Sequence, residues 1–382
     1  MGEIVIPRDS PLKIPMIMRA HWNAKEPFHL IGEPSTVKSA LIKQTAKQIS
    51  IEEGGREFVE WSKTSIGNKY KIAEDPSKYF VFEDLRASET DIGELRLQEM
   101  HKDQDYITYK YSLIFKVLSN PNAKGVLFFD EMNLAPNMIK AQFYKVYNDR
   151  SIGDIPLSDN VLICSAGNES SQVRDIVPDS VALTTRRGNY FINSLTSEEF
   201  VAYGYETNMH NSIIGYLSFA PQDVHNLNYD MPDPIGQPCA RTWEKLSNIR
   251  NKNVNLTMTE LSTLARGIVG PSTSTKFIAY AKIEEGLKLQ DIIKDPKRAA
   301  SIKELQIQYA IVTGLIGAFK QGDESIFPVA CKVSIYIKEE IGVYMLRMIK
   351  QITQETKFKK LALEKYAKDF DESYKKFGDL LK

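Results

Sequence analysis

From Gly125 to Pro136 the chain reads GVLFFDEMNLAP, and four apolar residues, Val126 to Phe129, run straight into Asp130 and Glu131. A short apolar run that opens on a glycine predicts a strand buried on both faces, as in a parallel sheet. Two carboxylates at its C-terminal end stand where open α/β sheets place their ligands. Burying adjacent acids is costly unless a cation shares the site, and Mg²⁺ carried by a nucleotide would serve. The alternative on this stretch alone is that both acids cap the next helix, whose first turn favours Asp and Glu.

Upstream, Pro27 to Ile31 (PFHLI) predicts a second strand, and Lys38 to Ile49 a helix, from the spacing of Ala40, Leu41, Ile42, Ala46 and Ile49. Between them lies Gly32-Glu33-Pro34-Ser35-Thr36-Val37-Lys38-Ser39. This matches the phosphate-binding pattern G-x-x-x-x-G-K-[ST] except that Val37 replaces the second glycine, and its strand–loop–helix setting is the one that pattern requires. Backbone N–H groups at the helix start would cradle phosphate oxygens, Lys38 would reach the outer phosphates, and Ser39 would hold Mg²⁺. A β-branched residue forced to positive φ costs about 1–2 kcal/mol or more, enough to weaken binding about tenfold. The bland alternative is an ordinary loop before a Lys-Ser helix start.

Downstream, Met138 to Tyr147 predicts an amphipathic helix, and Val161 to Ser165 (VLICS) another buried strand that ends in Ala166-Gly167-Asn168. Asn168 there could hold a water or a γ-phosphate, or be a turn residue after glycine. A helix over Pro178 to Thr185, the pair Arg186-Arg187 and a strand at Asn189 to Asn193 follow. Paired arginines in a loop are solvated or reach a phosphate on a neighbouring subunit. Phe58–Ser62 and Tyr79–Glu83 read as strands, Lys63–Ser77 as a surface insertion, Asp91–Leu95 as a loop or hairpin, and Ile107–Leu118 as a helix. Beyond Asn193 the patterns are helical throughout: Ser197–Tyr203, Ser212–Phe219, Arg241–Ile249, Met258–Ile268 and Ser272–Glu285, with Asp223–Gln237 an exposed loop. Arg241 in a helix's first turn opposes the dipole unless something anionic faces it. The Lys-rich tail carries an apolar set (Phe358, Leu361, Leu363, Tyr366, Phe370) suited to docking or partner contact.

Composition narrows the class. The 382 residues are 42% apolar and 26% charged, with 49 basic and 49 acidic side chains. Such balance supplies no global field for nucleic acid or an acidic membrane surface. The 3 cysteines are scattered and lack a CxxC, so no disulfide framework or zinc site is indicated, and a reducing cytosol fits. The five histidines show no metal-ligand spacing. No apolar run approaches the roughly 20 residues that span a bilayer. A soluble cytoplasmic protein is expected.

Taken in order, GEPSTVKS, VLFFDEMN, LICSAGN, TTRRGNYFI and ARTWEKL resemble the AAA+ ATPases, specifically the MoxR-type branch, as do FYKVYNDRSIGDIPLSDNVLICSAGNES and RGIVGPSTSTKFIAY. The resemblance covers roughly residues 25 to 295. It implies an AAA+ α/β P-loop unit with a parallel sheet flanked by helices, then an all-α lid; the residues beyond the lid are not covered and read as a helical C-terminal extension. The divisions expected along the chain are an N-terminal arm (1–26), in which Pro7, Pro11 and Pro15 break regular structure, the nucleotide-binding domain (27–195), the lid (196–298) and the extension (299–382). It implies ATP and Mg²⁺ as cofactors, with residues Gly32 to Ser39 binding nucleotide and Ser39 and Asp130 serving the metal. Glu131 would activate water, Asn168 would position it, Arg186 or else Arg187 would act as a finger across a subunit interface, and Arg241 would reach the nucleotide from the lid. Asp91-Ile92-Gly93 resembles a loop that faces a central pore. The implied partners are further copies of the chain, as a hexamer, and a separate protein with a von Willebrand A domain; no nucleic acid and no membrane are expected. Ser35 and Val37 stand where most relatives have glycine, and Ala240 where many have proline. A nucleotide-free scaffold and a nucleic-acid motor are the alternative functions.

Overall fold

A computed structural model describes residues 7–101, 107–169, 179–230 and 235–380. They divide into two compact units, Met1–Ser194 and Leu195–Lys382.

The first unit begins with α1 (Ile14–Ala24), β1 (Phe28–Gly32), α2 (Lys38–Glu52), β2 (Glu57–Glu60), α3 (Ile66–Glu74) and β3 (Tyr79–Arg86). Then come α4 (Ile92–Leu95), β4 (Arg96–Met100), β5 (Ile107–Tyr111), α5 (Leu113–Leu118), β6 (Lys124–Asp130) and α6 (Asn137–Asp149). The short β7 (Ser151–Ile152) and β8 (Ile155–Pro156) precede β9 (Val161–Gly167), α7 (Val181–Thr184) and β10 (Gly188–Ile192). Six strands form one sheet in the order β10-β1-β9-β6-β3-β2, and every pairing in it is parallel.

The run of apolar residues before Asp130 follows from cover on both faces. Val126 and Phe128 of β6 join Phe28, Leu30, Leu162 and Cys164 under Ile17 and Met18 of α1 and Ile42, Ala46 and Ile49 of α2. Leu127 and Phe129 point the other way, onto Ile114 and Phe115 of α5 and Ile139, Phe143 and Val146 of α6. Each such large side chain contributes about 1.5–3 kcal/mol by leaving water. The parallel direction brings all carboxyl ends to one edge, which is where β1, β6 and β9 deliver Gly32, Asp130 and Gly167.

Several local expectations are corrected. Residues 14–24 form α1, whose Ile14, Ile17 and Met18 are buried; Pro15 lies in its first turn, where its missing N–H costs nothing. The 63–77 segment holds α3, with Ile72 buried against the core. Ile107–Tyr111 is a strand paired with β4, and only Leu113–Leu118 is helical; alternating Tyr109, Tyr111 and Ile107 carry the period of two. β3 extends to Arg86, beyond the residues read as strand. Pro178 lies outside the described residues, and the helix there is α7.

The second unit is helical throughout its described residues: α8 (Ser197–Glu206), α9 (Asn211–Phe219), α10 (Ala240–Lys252), α11 (Met258–Val269), α12 (Pro271–Gly286), α13 (Leu289–Lys294), α14 (Leu305–Lys320), α15 (Ile326–Tyr336), α16 (Glu339–Lys359) and α17 (Ala367–Phe377). An α/β unit on a parallel sheet followed by helices is the fold class expected from the sequence. Thr196 with Glu199, and Thr257 with Glu260, form capping boxes that start α8 and α11. Asp223 is not part of an exposed loop: it is 1% exposed, accepts the Tyr216 hydroxyl, and its carbonyl accepts Trp243 Nε1 at 2.8 Å. The apolar set of the tail docks within the unit, where Phe358, Tyr366 and Phe370 surround Phe327 of α15; Leu363 alone of that set is exposed.

Candidate functional site

Gly32 ends β1 because nothing larger fits: a Cβ there would come 2.4 Å from the Ile192 carbonyl oxygen of β10. The chain then loops into α2, whose first turn receives no side-chain cap. A helix start without a cap leaves its N–H groups to an outside acceptor and carries the positive end of the dipole. That is the physical basis of an anion cradle.

The loop keeps its shape in spite of its side chains. Ser35 holds φ 64° and Val37 φ 57°, both in the left-handed region that glycine occupies freely. Thr36 Oγ1 donates to the Glu33 carbonyl at 2.9 Å, and Ser194 Oγ donates to Glu33 Oε2 at 2.9 Å, bracing the turn from inside and from the end of β10. Lys38 is 7% exposed, and its Nζ donates to the carbonyls of Gly32 (2.9 Å) and Glu33 (2.8 Å) and to Thr36 Oγ1 (2.9 Å). The ammonium is thus held inside the loop.

Ser39 and Asp130 meet from α2 and β6: Ser39 Oγ donates to Asp130 Oδ2 at 2.7 Å. The other oxygen, Oδ1, accepts the Glu131 N–H at 2.9 Å, which stabilises the φ of 54° at Glu131. Among the described residues no group of three or more His, Cys, Asp or Glu could hold a metal. A hydroxyl and one carboxylate nonetheless fit a Mg²⁺ that keeps waters and brings phosphate ligands with it.

Glu131 is engaged by a residue the sequence reading missed. Ser88 Oγ donates to Glu131 Oε2 at 2.5 Å from the turn after β3. Its signal was positional: β3 pairs with β6 in parallel, so residues just past its end must lie beside Asp130 and Glu131. Arg8 was also missed; it pairs with Glu169 through two nitrogens (2.5 and 2.9 Å), and this hydrogen bonding, followed by the charges of Glu169 and Glu33, raises its pKa.

Asn168 follows β9, the neighbour of β6 in the sheet, and its N–H donates to Asn133 Oδ1 at 2.9 Å. The two arginines part company. Arg187 is buried, ion-paired to Asp179, which Lys140 Nζ also binds at 2.8 Å, and it lies over the Tyr147 ring at 5.3 Å. Arg186 is only partly covered; it stacks on Tyr144 at 4.3 Å, and its Nε donates to Asn148 Oδ1 at 2.6 Å. Beneath them, Ser165 Oγ bonds His29 Nδ1 (2.7 Å) and accepts the Tyr147 hydroxyl (2.6 Å). Burial, and then the charges of Arg187, Lys38 and Lys140, hold His29 well below its ordinary pKa, so the ring is neutral. Arg241 stands exposed in the first turn of α10, in the second unit.

Of the residues read from the sequence, Gly32 to Ser39, Asp130, Glu131 and Asn168 thus gather at one sheet edge; Arg187 turns inward, and Arg186 keeps solvent access.

No family model matches the sequence, and no curated protein matches it. Solved structures similar to it include PCH-2 of C. elegans, at 16% identity over 70% of this chain with a TM-score of 0.30. The chain spans 65% of the length of PCH-2. A candidate ATPase of Cytophaga hutchinsonii is similar at 13% identity, covering 88% of this chain and 89% of that one, with a TM-score of 0.33. Identities and TM-scores this low speak to neither substrate nor partner.

Proposed function

We propose that the chain is a MoxR-like AAA+ ATPase that binds ATP with Mg²⁺ and hydrolyses it. The observation that carries this is the contact of Ser39 with Asp130 at an uncapped helix start, with Glu131 on the next residue. A hydroxyl and a carboxylate for a hydrated cation, an ammonium in the loop and a carboxylate base are the parts phosphoryl transfer uses.

In this reading the N–H groups at the start of α2 and Lys38 bind the phosphates, while Ser39 and Asp130 orient the metal. Mg²⁺ bound with the nucleotide supplies neutralisation of phosphate charge. Glu131 takes a proton from the attacking water, and Asn168 orients that water. Arg186, retaining access to solvent, acts on the nucleotide of a neighbouring copy in a ring, and Arg241 acts from the helical unit. The work of the ring is remodelling a separate protein, in the manner expected of this branch for partners with a von Willebrand A domain. The loop geometry at Ser35 and Val37 supports turnover over a nucleotide-free scaffold, because the positive-φ turn is kept.

The test is Mg²⁺-dependent ATP hydrolysis at rising protein concentration, beside Lys38→Ala and Glu131→Gln. Specific activity that climbs with concentration and disappears in both variants supports a ring ATPase. Activity independent of concentration removes the ring, and turnover surviving in both variants removes the site.

A further inference from the structure

We infer that Asn133 is a positioning residue that fixes Asn168 relative to Glu131, an inference that rests on the ATPase reading of the same site. Asn133 lies two residues past Glu131, in the 3₁₀ turn Met132–Leu134, and is 7% exposed. Its Oδ1 accepts the Asn168 N–H at 2.9 Å, so a side chain leaving the β6 end holds the backbone leaving the β9 end. The two strands are paired only as far as Phe129 and Ser165, so the backbone ladder stops short of both functional residues. The Asn133 amide carries the connection past that point.

Gly167 is matched to this contact. A Cβ at Gly167 would lie 2.8 Å from Asn133 Oδ1 and 3.2 Å from its Cβ and Cγ. The backbone there has no positive φ, so close approach to Asn133, and not conformational freedom, excludes a side chain. Packing does not account for the asparagine either. Its Nδ2 is buried and finds no acceptor among the described residues, a penalty that an apolar side chain of similar size avoids. An aspartate would retain the acceptor but would add a carboxylate beside Asp130 and Glu131, where like charges repel. Asparagine is the residue that accepts without charge.

The consequence is kinetic. Glu131 and Asn168 must both face one water, and a misplacement on the order of 1 Å costs roughly 100-fold in rate. The experiment compares the full chain with Asn133→Ala, Gly167→Ala and the double variant. Steady-state ATP turnover and hydrogen exchange at the Asn168 amide without nucleotide are both read. The expected result is that Asn133→Ala lowers kcat roughly 10- to 100-fold with KM within about twofold. Exchange at Asn168 rises in the same variant. Gly167→Ala does the same, because its methyl displaces the Asn133 side chain, and the double variant is no worse than Asn133→Ala alone. Asn133→Asp retains protection of the Asn168 amide. Additive losses, unchanged exchange, or a KM effect without a kcat effect overturn the inference. If the parent chain hydrolyses ATP and Asn133→Ala matches it, only this inference fails. A parent without turnover removes the ATPase reading and the positioning role together.

Discussion

Ser88 and Glu131 share a hydrogen bond of 2.5 Å, in which the serine hydroxyl donates to the carboxylate proposed as the base. A carboxylate that accepts such a bond is pointed at the donor instead of at water, and that bond must break before it can take a proton. Ser88→Ala is expected to raise kcat by roughly 10- to 100-fold with KM unchanged, since one bond to a charged group contributes about 1.5–3 kcal/mol and each tenfold in rate corresponds to about 1.4 kcal/mol. Steady-state kinetics decide it. A fall in kcat would assign Ser88 to holding Glu131 in its working position.

Val37 holds its left-handed backbone in the folded loop, so the strain falls on folding stability. Val37→Gly should raise the unfolding free energy by about 1 kcal/mol, less the backbone freedom that glycine gives the unfolded chain. Urea unfolding measures this. The nucleotide Kd should move by much less than the tenfold that binding-induced strain would require. A Kd that tightens tenfold with stability unchanged would place the strain in the binding step.

The arginines should separate by assay. Arg187→Ala strips a charge from the buried group of Asp179 and Lys140 and should destabilise the first unit by about 3–5 kcal/mol in denaturant titration. Arg186→Ala should cost only about 1 kcal/mol of stability, from its contacts with Tyr144 and Asn148, and abolish turnover. Mixed with Glu131→Gln, it should regain part of the activity, because an intact Glu131 then meets an intact Arg186 across an interface. Two inactive parents and an inactive mixture would deny action between copies.

Glu83 gives a pH signature. Burial pushes its carboxyl up to about 8, with Asp84 adding to the effect and Lys69 opposing it, and burial pushes Asp84 up to about 6. The folded chain therefore binds a proton at Glu83 that the unfolded chain releases near pH 4.5. Its contribution to stability is full below that value and is lost as pH rises toward about 8. Glu83→Gln should remove this slope. The parent-minus-variant difference in thermal midpoint, measured from pH 5 to pH 8, should change sign or shrink toward higher pH as the parent loses stability. A constant difference would place the proton elsewhere.

The parts of the fold legible in sequence were those governed by short-range pattern. The Val126–Phe129 and Val161–Cys164 runs are apolar throughout because both faces are covered, and α2 follows a loop that matches the phosphate-binding pattern but for one glycine. The site came with them, since parallel strands bring their ends together. What stayed hidden depends on long-range contact. Ser88 is an ordinary serine until β3 is seen to run on to Arg86, and Asn133 has no sequence signal for a bond to a residue 35 positions away. Arg186 and Arg187 are adjacent and identical in type; only Asp179 and Tyr147 determine which turns inward. α1 was obscured by prolines that, at a helix start, do no harm.

β1 is paired on one side with β9 and on the other with β10, both of which are made long after it. During synthesis, therefore, the first strand of the sheet leaves the ribosome with neither neighbour available, and its pairing is complete only after Gly188–Ile192 has been translated. Folding of this unit is a late, long-range closure and not a progressive one. Overexpression at high temperature should lose the chain to aggregation mainly at that stage, and a slowed translation of the segment from Val161 to Ile192 should lengthen the interval of risk.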